Sequence, residues 1–180
     1  MGDANRGLLG HVPPTDDEHA NMKLNTLVRT GLLTAVIDGL FACVLSVVFY
    51  HTTVTRLWQG VASVPLGTTA LDGGTATALI GVALHVCVAF TWSAVFLYGA
   101  MRLDWMKRLL ASRYGVLKAA AIYGPFVWLV MSAVVIPVFT HRPPSITFRW
   151  WVQLLGHVPF VALPIAWSVS KSESPEVSAG

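Results

Sequence analysis

One aspartate and two histidines, Asp38, His85 and His157, stand inside stretches otherwise built from Leu, Val, Ala, Phe and Gly. An aspartate at the centre of a membrane helix costs about 2.5–3.5 kcal/mol on insertion scales, so each such group calls for a partner or a purpose. Asp38 and His85 can form a hydrogen-bonded pair that locks two helices, or a proton-handling or ligand-binding centre. Gln153, one turn before His157, adds an amide to the same region. Chemically the three ionisable groups make a 2-His-1-carboxylate metal set, and histidines on two helices are what bis-imidazole haem b requires. No spacing motif backs either. The expectation is no resident metal or cofactor, with haem b or a quinone on His85 and His157 as the alternative, and an Asp38, His85, His157 metal site as a lesser one.

Four long apolar runs must position these groups, at about residues 27–50, 75–98, 118–139 and 150–169. Each approaches the ~20 residues an α-helix needs to cross ~30 Å of hydrocarbon. The expected fold is an all-α integral membrane four-helix bundle over residues 26–170, flanked by disordered tails at 1–25 and 171–180. The first run is longer than a signal-peptide core and has no A-x-A-like cleavage site, so it reads as a permanent span. Counting along the runs puts Asp38 twelve residues past Thr26, His85 eleven past Gly74 and His157 seven past Trp150. All three fall between the midplane and one face of the bilayer.

Composition agrees with a membrane chain. Of 180 residues, 54% are hydrophobic and 12% charged, about half the usual charged fraction of soluble domains. The net charge of +3 sits in connections beside the spans, which argues against nucleic acid and for the lipid bilayer as partner. Nine basic residues (Arg6, Lys23, Arg29, Arg102, Lys107, Arg108, Arg113, Lys118, Lys171) belong to the tails and the second connection, against Arg56, Arg142 and Arg149 elsewhere. That bias predicts both termini and the second connection on the cytoplasmic side of the membrane. Cys43 and Cys87 lie in spans and read as small packing residues.

The first connection carries Leu57, Trp58, Val61, Ala62 and Val64 at helical spacing, with Arg56, Gln59, Gly60 and Ser63 elsewhere. It predicts a short amphipathic helix at the outer interface, with Trp58 at headgroup depth, ended by Pro65 and Gly67. Asp72 is placed to cap the second span. Trp92, Trp128 and Trp167 lie deeper than the interfacial tryptophans, as packing residues or the lining of a quinone or lipid pocket.

Stripes of small residues predict tight helix contacts: Gly31, Ala35, Gly39 and Cys43 on span one; Ala78, Gly81, His85, Ala89 and Ser93 on span two; Ala120, Gly124 and Ser132 on span three. Pro159 and Pro164 predict a kinked fourth span, because each removes an amide hydrogen and frees a carbonyl. No nucleophile elbow, Walker sequence, H-E-x-x-H or dinucleotide fingerprint occurs, which points away from the common soluble enzyme classes.

Arg56-x-x-Gln59-x-x-Ala62-Ser63-x-x-Leu66-Gly67, then Gly73-Gly74-x-x-Thr77-Ala78-x-x-Gly81-x-x-Leu84-His85, resembles a group of small bacterial four-span inner-membrane proteins of unassigned function. Val135-Ile-Pro137, His157 and Leu163-Pro164-Ile-Ala166 fit the same pattern, and Pro65 and the long acidic N-terminal tail depart from it. The resemblance implies bacterial origin, four helices and residence in the inner membrane, and no reaction. The functional expectation is a non-enzymatic structural or accessory subunit or a small permease-like oligomer, alone or with a membrane-protein partner. A haem- or quinone-binding oxidoreductase subunit is the alternative.

Overall fold

The structure, a computed structural model, describes residues 15–173. Among these residues six helices follow one another: α1 (Asp16–Phe49), α2 (Val54–Leu66), α3 (Gly74–Arg102), α4 (Asp104–Ala111), α5 (Gly115–Thr140) and α6 (Phe148–Ser172). There is no strand among the described residues. The long helices α1, α3, α5 and α6 are each apolar and long enough to cross a membrane, which makes this an all-α, multi-pass membrane bundle. Its outer surface fits that environment. Val28, Leu32, Val36, Leu40 and Val44 form an exposed apolar stripe along α1, while Gly31, Thr34, Ala35 and Gly39 are buried on the opposite side.

Several local features depart from the sequence expectation. Helix α1 begins at Asp16, ten residues before the expected span, so residues 16–25 are helical and the disordered-tail expectation fails for them. A capping box explains this start. Thr15 N–H donates to Glu18 Oε2 at 2.7 Å, and Glu18 N–H to Thr15 Oγ1 at 3.4 Å. Asp16, Asp17 and Glu18 also complement the helix dipole. At the other end α6 carries helix through Lys171 and beyond; the rest of both expected tails lies outside the described residues. The second connection, expected as a plain basic loop, contains α4, whose Met106 is buried against the bundle.

The expected distortion of α6 takes the form of a widened turn at Val158–Ala162, which accommodates Pro159 within a continuous helix. Comparable widened turns occur at Leu45–Phe49, Val95–Gly99 and Met131–Val135.

The spans close a ring. Helix α1 meets α3 where Gly31 lies under the Phe90 ring, and it meets α6 where Phe41 stacks on Phe160 at 4.1 Å. Helices α3 and α5 join through Tyr123, whose hydroxyl donates to the Trp92 carbonyl at 2.7 Å. Gly124 of α5 lies against the backbone of α6 at His157 and Val158. At the α4 end, Phe96, Ala119, Ala162, Ile165, Ala166 and Val169 are fully enclosed in one apolar core. Towards the opposite end the spans separate, and α2 fills part of the gap.

Candidate functional site

Helix α2 is held by the residues of the first sequence pattern. Thr53 caps it by accepting the Arg56 N–H at 3.1 Å, and Gly67, with φ of 80°, ends it. Arg56 Nη1 donates to the Leu71 carbonyl at 2.8 Å, and Gln59 Nε2 to the Gly74 carbonyl at 3.0 Å. Thr77 Oγ1 donates to the Ala70 carbonyl at 2.7 Å from the first turn of α3. These bonds fold α2 back along α3. Gly81 permits the closest approach, since a Cβ there would overlap the Trp58 carbonyl. Gln59, assigned by spacing to the polar face, is accordingly buried. Trp58 lies not at the rim but with its ring 5.1 Å from that of His85, and close to Gly39 in the middle of α1. Asp72 does not cap α3: Gly73 holds the cap position without a side-chain bond.

The ionisable groups meet behind α2. His85 Nδ1 lies 3.9 Å from Asp38 Oδ2, the one ion pair within 4 Å among the described residues. The other ring nitrogen, Nε2, lies 3.1 Å from the Ala35 carbonyl oxygen. A carbonyl only accepts, so Nε2 carries the proton, and Nδ1 faces Asp38 as a lone pair or as a second N–H. His157 Nδ1 donates to the Gln153 carbonyl at 2.7 Å, and its ring packs 4.9 Å from that of Trp128. Asp38 is near enough to interact electrostatically with both imidazoles. All three groups, with Gln153, line one cavity.

That cavity has a volume of about 430 Å³, and its walls are mostly apolar, with Trp58, Trp92, Trp128, Met131 and Phe139 among them. Trp167, the third deep tryptophan, is elsewhere: it is half-exposed beneath Arg29 and Lys171. A second cavity of about 510 Å³ adjoins the first, the two sharing Val64, Trp128, Ile136, Phe139 and Gln153. It lies under the α5–α6 connection and is lined by Arg142, Arg149, Ser132 and Trp150. Thr34 Oγ1, Trp128 Nε1, Ser132 Oγ and Trp150 Nε1 are buried around these spaces without a hydrogen-bond partner. Sequence spacing missed the second cavity because its residues come from α2, α5, α6 and the connections between them, which only the fold brings together.

The side chains do not fit the inorganic alternatives. No group of three His, Cys, Asp or Glu among the described residues could hold a metal ion, so the Asp38, His85, His157 metal site is not formed. Bis-imidazole haem also fits poorly, since His85 Nε2 is spent on Ala35 and Trp58 lies over the ring.

No protein-family profile matches this chain, and neither a curated protein nor a solved structure matches it.

Proposed function

We propose that this is a small, non-enzymatic, permease-like protein of the bacterial inner membrane that holds an apolar or amphiphilic molecule beside the Asp38–His85 pair. The observation that carries the reading is the cavity behind α2, with Asp38, His85 and His157 on its wall. A purely structural pair would be packed shut; here the pair borders a space large enough for a ligand. One carboxyl and two imidazoles on the wall put groups able to exchange protons beside the ligand. The excess of basic residues in the tails and second connection supports cytoplasmic termini, which puts α2 and the cavity on the outer side. The long exposed apolar faces would be covered by lipid, by further copies of the chain or by a membrane-protein partner.

Proteoliposomes test this reading. With an imposed pH gradient, the wild-type protein is expected to carry a proton flux that Asp38→Asn and His85→Gln abolish while remaining folded. Flux of wild-type size in both variants overturns it.

The second reading, a quinone-binding subunit, is favoured by one feature: His157, Trp128 and Gln153 present polar atoms within otherwise apolar walls. A short-chain quinone that quenches tryptophan emission saturably, and fails to do so in His157→Ala, would select it.

A further inference from the structure

We infer that the cavity behind α2 and the one beneath the α5–α6 connection form a single site for a phosphate-bearing amphiphile, its head under that connection and its chain among the apolar walls. The inference rests on reading the inner cavity as a ligand site, and it names the ligand's chemical class.

The head end is a collection of donors lacking acceptors. Arg142 and Arg149 both line it, and no carboxylate lies within ion-pair distance of either among the described residues. Arg149 is held by the Tyr50 ring, with its guanidinium carbon 3.9 Å from the ring centroid. Trp128 Nε1, Ser132 Oγ and Trp150 Nε1 are buried on the same lining with no partner. Tryptophan N–H can only donate, and a guanidinium offers a planar fork of donors with no acceptor. Burying the Trp128, Ser132 and Trp150 donors unpaired is unfavourable, and the exposed guanidiniums of Arg142 and Arg149 add positive charge beside them, so the set is complementary to a ligand that brings several oxygen acceptors and negative charge. A phosphate meets both conditions, and its oxygens match the guanidinium fork.

The chain end is equally specific. Trp128, Gln153, Ile136 and Phe139 belong to both linings, so the head region abuts the apolar space directly, and an acyl chain attached to the head is drawn into it. A free inorganic phosphate would leave that space unused, and an uncharged lipid would leave the donors unpaired.

The emission of Trp128 and Trp150 supplies the readout. Full-length protein in uncharged detergent would be titrated with dioctanoyl phosphatidic acid, with dioctanoylglycerol and with inorganic phosphate. The expected result is a saturable change with the phosphatidic acid alone, weakened about tenfold or more by Arg142→Gln and further by Arg149→Gln. Circular dichroism checks that each variant folds, and Arg142, exposed and unpaired, can be changed without disturbing a packed side chain. Equal binding of inorganic phosphate shows that the chain is not recognised and overturns the inference. Equal binding of dioctanoylglycerol, or wild-type affinity in folded Arg142→Gln, removes the phosphate-specific head and overturns it too, while leaving the cavity as an apolar ligand site. No saturable change with any of the three overturns both readings.

Discussion

At the α4 end of the bundle Phe96, Ile165 and Val169 are completely enclosed, and Ala119, Ala162 and Ala166 let the spans approach until no space remains. At the α2 end the same spans stand apart around Met131, Trp128 and Phe139, and a fifth helix folds in to wall off the space. Lipid offers little hydrophobic drive for one helix to leave it for another, so contact depends on close fit. Alanines at the crossing give that fit, and bulky or ionisable side chains prevent it. One half therefore carries the stability of the bundle, and the other is free to hold a ligand.

Substitutions that remove or add volume in each half sharpen this contrast. Phe96→Ala empties the enclosed core and is expected to cost about 3 kcal/mol, while Met131→Ala on the cavity wall costs under about 1 kcal/mol, both read from reversible unfolding in mixed detergent. Equal costs would remove the distinction between the halves. Gly81→Ala comes next, at about 2–3 kcal/mol, because the new methyl meets the Trp58 carbonyl and must push α2 outward. Its companion Gly60→Ala faces open space on α2 and is expected to leave stability unchanged or slightly raised.

Gln59→Ala leaves the Gly74 carbonyl without its side-chain donor and should loosen the α2–α3 hairpin by about 1 kcal/mol. Faster amide exchange confined to α2 and the turn after it would register this. Thr15→Ala has the smallest effect. It removes the capping box at the far end, at about 1 kcal/mol or less, and should fray residues 16–25 with no change near the cavity.

The four spans were legible in the sequence because twenty-odd apolar residues admit few other structures. The small-residue stripes also marked real contacts, at Gly31, Gly39, Gly81 and Gly124. What spacing could not supply was depth. The amphipathic pattern of α2 is compatible with a helix on the bilayer surface; only the bonds of Arg56 and Gln59 to the turn at Leu71–Gly74 draw it along α3. Likewise, Asp38, His85 and His157 were recognisable as costly residues at similar depths. That His85 would spend Nε2 on the Ala35 carbonyl depended on how close α1 and α3 come, which no periodicity encodes. The helical start at Asp16 was readable from the Thr15 and Glu18 capping box, and was hidden only by the polarity of the residues around it.

Thiol accessibility tests the central contrast most directly. In a background with Cys43 and Cys87 replaced by serine, cysteine is introduced at Met131 on the cavity wall and at Ala166 in the enclosed core. A small water-soluble thiol reagent is predicted to label Met131→Cys and to leave Ala166→Cys untouched in the folded protein. Labelling of both positions alike, or of neither, would contradict a bundle that is closed at one end and hollow at the other.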